Sequence, residues 1–600
     1  MRAGKFGASS MHSSGAGRRD FLKYAIAAAG LPGTAYAQAP AAAPLEDYPH
    51  TTVFTAKKIV TMDPARPHAT AVAVRYGHIL GVGSLEDLAP WLKPTTFRIN
   101  RQFEDHVLLP GLIDPHVRPM QSAMQFGMTW ITPEPWDILG QKTPATIGQP
   151  AYLQALKAAI AAAPNTAPMF ATWGYSNLFH GVMSRALIDS VSGATPVTVW
   201  HRSCRELYAN SAMLAYFESK GVTQASVKGN PHIDWASGHF ANDALTLLLM
   251  PILADYLLAP SRVNAGLLRT RDYFASNGIT TCADMATGAI DWQMELAALT
   301  NTFGAAESAV RVRLTPDVRA MAAHTSPGAT FAFLARASAK NTRHVFVSNA
   351  INLSADGPML SQLMQMAAPG YVDGHDGEWI VQPLEFEMTA RQYWNAGYQI
   401  HANANGDAGA DMVLDALAKL LTDHPRPDHR FTIEGYANAN DSTGRRIAAL
   451  GAQVSANPFY VYDLGEACAA TSLGEDRAAR ITPLGGLVQR GIPVALHSDF
   501  AAAPASPLFL AWAAMTRETQ SGKVFAPEER LTLDQAMKAI TIDAAYILRL
   551  DDDCGSIEAG KRGDFVVLDK DPYDVGAAGL RDIKVWGTVY AGGVFQAKAS

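Results

Sequence analysis

Short apolar, strand-like segments alternate with helical segments through most of this 600-residue chain. Such alternation is typical of parallel βα units, in which a helix returns the chain to the start of the next strand. About eight repeats over roughly 400 residues place the chain in the α/β class and favour a distorted (β/α)8 TIM barrel over a doubly wound sheet. The candidate barrel strands are 107–113, 196–200, 278–282, 310–314, 345–353, 398–401, 431–434, 453–456 and 494–496, with helical runs such as 408–421 and 533–547 among them.

Both flanks of this region have short, β-like patterns. Residues 51–108 contain hairpin-like alternation, and a matching pattern occupies residues 550–600. Neither piece is large enough to bury much apolar surface alone, so we expect the two to pack together as one composite β-sandwich. The barrel is then expected over 109–549, with 119–190 and 355–390 as long insertions that cover its mouth.

The N-terminus has the pattern of an export signal. Arg18 and Arg19 open the sequence RRDFLK, a mildly apolar segment follows, and Ala35-Tyr36-Ala37 fits a small-residue cleavage site. We therefore predict a twin-arginine (Tat) signal peptide over 1–37, an Ala/Pro-rich linker over 38–50, and a periplasmic or secreted protein that uses the Tat export machinery. An alanine-rich leader with a chance pair of arginines is the alternative.

Composition excludes several partner classes. The formal net charge of −6 and the lack of Lys/Arg runs argue against nucleic acid as a partner. No uninterrupted apolar stretch reaches the roughly 20 residues that a membrane span needs, so no membrane partner is expected. The four cysteines are widely scattered without a CxxC motif, which predicts neither a disulfide framework nor a zinc cluster.

The segment 109–118, LPGLIDPHVR, is predicted to be a buried strand that delivers His116 to the barrel mouth. Residues two apart on a strand face the same side, so histidines at both 116 and 118 could grip one metal ion. Arg118 stands at the second position, and a guanidinium offers only hydrogen-bond donors and cannot be a ligand. The strand therefore has the frame of a metal site without its second ligand.

Six motifs, in order, carry a resemblance to a known family. The chain resembles the amidohydrolase superfamily, and within it the YtcJ-like amidohydrolase family 3, from about residue 51 to 597. The resemblance implies a distorted TIM barrel beside a composite β-sandwich, and one or two divalent ions, usually zinc, that activate water against a non-peptide C–N bond. The motifs are PGLIDPH (110–116), NGDA (405–408), RFTIE (430–434), HSD (497–499), TIDAA (541–545) and GSIEAGK (555–561), the last leading to DFVVL (564–568).

The resemblance also implies a ligand set that this sequence largely lacks. Of the implied ligands only His116 and Asp499 are present, and Asp499 is the residue that the resemblance makes both a ligand and the general base. Two ligands do not hold zinc tightly, so we predict no tightly bound cofactor, and zinc is implied only by the resemblance. His401 and His497 lie two residues before Asn403 and Asp499, about 6.6 Å deeper along a strand, and do not restore the set. The other ligand positions hold Arg118, Asn352, Asn403 and Gly435, and two further pocket positions hold Arg205 for the usual histidine and Asn242 for the usual glutamate.

The substituted residues suggest a different charge arrangement. A buried, unpaired Asp499 would be costly, so Arg118 is predicted to be its partner. Arg118 then either replaces the metal cation, binding a carboxylate or stabilising an oxyanion while Asp499 or His116 moves the proton, or forms a salt bridge that only fills the space. The predicted catalytic residues are His116, Arg118 and Asp499, and the predicted substrate-binding residues are Arg205, His239, His401, Asn403, Asn352 and Asn242.

Three functions remain open from the sequence. The preferred one is an exported hydrolase with a metal-poor site that acts on a non-peptide C–N or related acyl bond of a small molecule, with carboxylate-bearing molecules among the candidate substrates. The second is a metal-free lyase or isomerase in which Arg118 stabilises an enolate-like charge. The third is a non-catalytic protein that binds a small ligand.

Overall fold

The structure, a computed structural model, describes residues 51–92, 97–163, 167–325 and 327–598. The predicted signal peptide and linker therefore lie outside the described residues. All four cysteines are unpaired, as their spacing indicates. Among the described residues no single helix is long and apolar enough to cross a membrane; Ala244–Leu257 and Pro260–Ser276 reach that length only as a pair bent by 86°.

Two parallel sheets form the centre of the fold. One contains β1 Leu112–Val117, β2 Ile279–Thr287 and β3 Arg311–Pro316, with the short edge strand Val345–Val347. The other contains, in chain order, β4 Ala350–Ser354, β5 Gln399–Ala404, β6 Thr432–Gly435, β7 Gln453–Ala456 and β8 Val494–Leu496. Single parallel bridges, Val117 to Phe500 and Asp317 to Asn352, join the two sheets at both edges, so eight parallel strands follow one another in a ring.

One predicted barrel strand is wrong. Residues 196–200 form strand Val197–His201, which belongs to a separate six-stranded sheet. Because this strand is buried along its whole length, its apolar run has the same pattern as a barrel strand. The predicted mouth insertion 119–190 contributes to the same sheet, whose strands in spatial order are Ile233–Asp234, His239–Ala241, Glu206–Ala209, Val197–His201, Phe170–Tyr175 and Thr129–Trp130; the small hairpin Trp136–Ile138 and Gln141–Thr143 lies in the same region of the sequence.

Two other predicted strands are each divided. Residues 345–353 form Val345–Val347 and β4, and residues 107–113 fall partly in strand Phe97–Pro110 and partly in β1. Gly111 lies at the second division, where a Cβ atom would be 2.0 Å from Oγ1 of Thr280. Only a glycine at position 111 allows the chain to run this close to β2. The close approach at Gly111 therefore determines where β1 begins.

The composite unit built from both termini is present. Its seven strands form one hydrogen-bonded sheet, in which the C-terminal strand Phe565–Leu568 pairs antiparallel with Phe97–Pro110. Separate apolar clusters lie around this sheet, one containing Phe54 and Phe565 and the other Leu88. The spatial order is Gly593–Gln596, Val585–Tyr590, Phe565–Leu568, Phe97–Pro110, Thr51–Val60, His68–Arg75 and His78–Gly83.

Helices connect the strands. The predicted helical run 408–421 is the helix Asp407–Asp423, and the run 533–547 is divided into Leu533–Ala539 and Ile542–Ile547. The predicted insertion 355–390 contains little regular structure before the helix that begins at Pro383. The remaining helices are Leu85–Leu92, Pro119–Phe126, Gln149–Ala162, Asn177–His180, Arg185–Ser192, Ser211–Ser219, Ala244–Leu249 (π), Met250–Leu257, Pro260–Ser276, Trp292–Phe303, Val318–His324, Pro327–Ser338, Met359–Ser361 (3-10), Pro383–Asn395, Asp441–Leu450, Phe459–Thr471, Glu475–Ala478, Gly485–Gln489, Pro507–Thr516, Pro527–Glu529 (3-10), Pro572–Gly579 and Leu580–Asp582 (3-10).

Candidate active site

The predicted catalytic residues meet where β1 and β8 adjoin. His116 lies on β1, Arg118 follows it, and Asp499 lies three residues after β8. The backbone N–H of Asp499 donates to the carbonyl of His116 at 3.0 Å, which fixes the two segments side by side. In parallel barrels the residues at the carboxyl ends of the strands surround one common mouth, so this is the expected place for a reaction centre.

Arg118 and Asp499 form the ion pair that the sequence predicts. Nε of Arg118 donates to Oδ1 of Asp499 at 2.6 Å, and the two side chains are 17% and 21% exposed. Burial alone would lower the pKa of Arg118, but the carboxylate of Asp499 outweighs it and the pKa lies above its ordinary value. Within the described chain, no hydrogen bond engages Nη1 of Arg118 or Oδ2 of Asp499. The pair is therefore formed, and each partner keeps one polar atom for another molecule.

A fully buried carboxylate, Glu434 on β6, lies beneath this pair. Oε2 of Glu434 is 3.0 Å from Nδ1 of His116, and Oε1 is 2.7 Å from Nδ1 of His401. One carboxyl group thus fixes the ring orientation of two histidines from different strands. The other ring nitrogen of His116, Nε2, is left facing Nη2 of Arg118 at 3.4 Å and Oδ1 of Asp499 at 3.6 Å.

Burial decides the protonation of this network. It lowers the pKa of His116 well below its ordinary value, as it does for His401, so both imidazoles are neutral at neutral pH. Burial also raises the pKa of Glu434 to about 8, against an opposing hydrogen bond from Ser455. Below the network, Nη1 of Arg313 is 3.4 Å from Nε2 of His401, and burial lowers the pKa of this arginine to about 9, which still leaves it protonated at neutral pH.

Glu434 is the functional-site residue that the sequence analysis missed. It ends the RFTIE motif, and on β6 it shares its facing side with Thr432, both being fully buried. A carboxylate in a buried strand between apolar residues is itself a signal of an interior partner. His497, which the sequence analysis places too deep along its strand to restore the metal-ligand set, also belongs to this network: its ring centroid lies 4.8 Å from that of His116, and its Nδ1 is 3.6 Å from Oε2 of Glu434.

The asparagines expected to bind substrate lie on neighbouring barrel strands. Nδ2 of Asn352 donates to the carbonyl of Met285 at 2.8 Å, while its Oδ1 is buried without a partner in the described chain. Asn403 accepts from Nδ2 of Asn405 at 3.0 Å. Both side chains therefore lie in the barrel interior, and their contact with substrate stays a prediction.

Three further predicted residues lie in the insertion that contains the six-stranded sheet. Nε2 of His239 is 2.8 Å from Oε2 of Glu206, and Asn242 donates to Oε1 of Glu378 at 2.8 Å, so both side chains already have protein partners. Arg205 differs, because within the described chain its guanidinium has no hydrogen bond or ion pair. Nε2 of Gln125, on the helix that begins directly after Arg118, donates to Sγ of Cys204 at 3.1 Å, so the turn that carries Arg205 packs against this helix beside the barrel mouth. Burial and the charge of Arg118 lower the pKa of Arg205, while the charges of Asp317 and Asp499 raise it.

Comparison with known proteins identifies the family. The model of the amidohydrolase family matches residues 104–595, most of the chain. The chain belongs to the amidohydrolase family. It is 32% identical over 222 residues to the N-substituted formamide deformylase of Arthrobacter pascens, with 37% of this chain and 41% of the relative covered. It is also 27% identical over 255 residues to the putative amidohydrolase YtcJ of Bacillus subtilis, with 42% and 47% covered. The chain thus spans less than half the length of either of these relatives.

A solved structure supports the fold of this amidohydrolase. An uncharacterized metal-dependent hydrolase from Pyrococcus horikoshii has a TM-score of 0.66 at 15% identity, and the match covers 88% of this chain and 99% of that protein. At this identity the likeness shows the fold alone. The site must therefore be argued from the residues that this chain places there.

The residues present do not fit the family's metal pair. Arg118 brings a positive charge to one ligand position, and Asn352 and Asn403 are neutral amides at two others. Gly435 holds φ at +90°, and a Cβ atom there would lie 2.5 Å from Oδ1 of Asn405, so its backbone is also unsuited to a histidine. Catalytic zinc needs three protein ligands and an open position.

One deeper group of side chains could hold a single ion. The ligand atoms of His116, Glu434 and His497 all lie within 4.8 Å of one another, and all three residues are buried. Nδ1 of His497 already bonds to Oγ of Ser455 at 2.7 Å, and the group has no access to solvent. An ion there would have to displace the hydrogen bonds that His116, Glu434 and His497 make now, so we derive no catalytic step from it.

Replacing Glu434 tests its bridging role. Glu434→Ala leaves the Nδ1 atoms of two buried histidines, His116 and His401, without a partner and should lower the free energy of unfolding by about 2–4 kcal/mol, measured by urea denaturation. Glu434→Gln, which keeps the shape and can still bond both rings through an adjusted tautomer, should lose clearly less. The control is Glu387→Ala, since Glu387 pairs with Arg391 and Lys419 at the surface and should cost under about 1 kcal/mol. Equal losses for Glu434→Ala and Glu387→Ala would contradict the bridging role.

Restoring ligands tests the assignment of positions. The combined changes Arg118→His, Asn352→Lys and Asn403→His should give the protein tightly bound divalent metal, measured by elemental analysis after dialysis. Adding Gly435→His should lower the melting temperature, because the left-handed backbone and Asn405 oppose a side chain there. Two equivalents of zinc in the unaltered protein would show that the ligand assignment is wrong.

Proposed function

We propose that this amidohydrolase is an exported hydrolase that cleaves a non-peptide C–N bond of a small molecule at a metal-poor centre formed by Asp499, Arg118 and His116. The observation that carries the proposal is the ion pair at the barrel mouth, in which Asp499 is only partly buried and held by a fixed cation. Membership of the amidohydrolase family supports hydrolysis as the reaction class.

The geometry suits proton transfer to and from water. Arg118 holds Oδ1 of Asp499, so Oδ2 is the atom left to take a proton from a water molecule. The water oxygen then adds to the carbonyl carbon of the substrate, and the negative charge on the former carbonyl oxygen is stabilised by Nη1 of Arg118. The C–N bond breaks as Asp499 returns the proton to the nitrogen, which gives a carboxylic acid and an amine.

His116 has a supporting part in this scheme. Glu434 orients its ring from below, so Nε2 stands 3.6 Å from Oδ1 of Asp499 and 3.4 Å from Nη2 of Arg118. A neutral imidazole here can accept a hydrogen bond from the guanidinium and limit its rotation. Arg118 thereby keeps the orientation that both Asp499 and the developing oxyanion need.

The relatives suggest which C–N bonds to test first. The formamide deformylase shares 32% identity over 222 residues, so N-substituted formamides and other N-acyl amines are the reasonable panel. The alternatives that the sequence leaves open predict other products. A lyase or isomerase would convert such compounds without adding water, and a binding protein would leave them unchanged.

Asp499→Asn is the direct test of the reaction. It keeps the shape of the side chain and removes the proton acceptor, so kcat for amine release should fall about 100-fold or more. The control is Asp243→Asn, because Asp243 pairs with Arg319 on the surface and should not affect kcat. Wild-type activity should survive treatment with a chelator. Loss of activity on chelation with recovery on adding zinc would refute the metal-poor mechanism, and turnover without water addition would favour the lyase.

Export can be tested separately from the chemistry. Changing both Arg18→Lys and Arg19→Lys should leave the full-length precursor in the cytoplasm of a Tat-competent bacterium, as measured by fractionation and immunoblotting. The matched control changes Arg2→Lys and Lys5→Arg outside the RRDFLK motif. Normal export of the double-lysine variant would remove the twin-arginine assignment.

A further inference from the structure

We propose that Arg205 binds a carboxylate of the substrate beside the Arg118–Asp499 pair, so that the preferred substrates are N-acyl compounds that carry an anionic group. The inference rests on the proposed function in taking this mouth as the substrate site. Arg205 lies in the turn between strands Val197–His201 and Glu206–Ala209 of the insertion.

The backbone of Arg205 is firmly held. Its N–H donates to Oγ of Ser203 at 3.2 Å, and its carbonyl accepts from the backbone N–H of Asn242 at 2.8 Å. The side chain is partly buried, and its guanidinium has no hydrogen bond or ion pair with any residue that the structure describes. A rigid backbone therefore presents a cation whose five donor hydrogens are uncommitted.

The neighbouring arginines show that a guanidinium without a protein partner is unusual in this region of the structure. Arg202 is bound by Glu134 at 2.9 Å and by Asp463 at 2.7 Å, and Arg319 pairs with Asp243. The nearby carboxylate of Asp317 accepts from the N–H of Ala320 and caps the helix Val318–His324, so it is already engaged. Arg205 is the guanidinium of this group that lacks a carboxylate partner.

The positive charge of the Arg205 guanidinium favours an anion as its ligand. Arg118 is paired with Asp499, and the charges of Asp317 and Asp499 favour the charged form of Arg205, yet no carboxylate of the described residues forms an ion pair with its guanidinium. A partly desolvated guanidinium without a partner is costly, and a planar carboxylate, which can accept two parallel N–H bonds, removes that cost.

Two small probes of matched shape test the inference. N-acetylglycine carries a carboxylate, and N-acetylglycinamide replaces it with a neutral amide. Isothermal titration calorimetry of the full-length protein should show binding of N-acetylglycine about 10- to 100-fold tighter than of the amide. In Arg205→Met the two affinities should come within about 2-fold of each other, and Arg205→Lys should keep part of the preference.

The control variant is Arg319→Met, which removes an equally charged side chain that already has a carboxylate partner. It should keep the wild-type preference. The melting temperature of Arg205→Met should not fall, because no internal contact is lost; a drop would mark a structural arginine and count against the proposal. Absence of saturable N-acetylglycine binding up to about 50 mM, or an unchanged preference in Arg205→Met, would overturn it.

Failure of the inference and failure of the proposed function give different results. Arg205-dependent binding of N-acetylglycine without hydrolysis of any N-acyl compound would retain the anion site and remove the hydrolase. Hydrolysis of neutral N-acyl amines with no preference for anionic ones would retain the hydrolase and remove the anion site at Arg205.

Discussion

The contact between β1 and β8 is the constraint on which the site depends. The ring of parallel strands closes there through a few polar contacts rather than through a continuous ladder of backbone hydrogen bonds. Oδ2 of the fully buried Asp114 accepts a hydrogen bond from the hydroxyl of Ser498 at 2.5 Å. The Arg118–Asp499 pair lies just above this contact. Burial raises the pKa of Asp114 to about 7, so this seam holds a carboxyl group that is partly protonated near neutral pH. The residues that close the barrel are thus also the residues that form its mouth.

A guanidinium at a position where the family resemblance implies a metal ligand changes what the proposed centre can do. A divalent ion exchanges its ligands and lowers the pKa of bound water, whereas an arginine does neither. What it supplies is a permanent charge with directed donors, which suits the binding of anions and of oxyanions. The neutral histidines beneath and the bridging Glu434 hold that charge in place. In the proposed function the chemistry is therefore that of proton transfer and hydrogen bonding on a hydrolase scaffold.

The sequence predicted the parts of this fold that depend on pattern. Apolar segments at regular spacing located all eight strands of the ring, and the cost of a buried carboxylate predicted the pairing of Asp499 with Arg118. Strand Val197–His201 was assigned to the barrel because burial on both faces gives the same apolar run in either sheet. Glu434 was missed because its partners, His116 and His401, are brought to it only by the tertiary fold. The free guanidinium of Arg205 could not be foreseen either, since a missing partner has no sequence pattern.

Gly435 has a consequence for how this centre can change. Its backbone has adopted a conformation open to glycine, and Oδ1 of Asn405 occupies the volume that a side chain would need. A histidine placed at this position would therefore require the peptide to rotate and Asn405 to move before its ring could reach an ion. Because neither movement by itself supplies a ligand, a substitution at Gly435 alone is not expected to add metal affinity, and a compensating change at Asn405 has to accompany it.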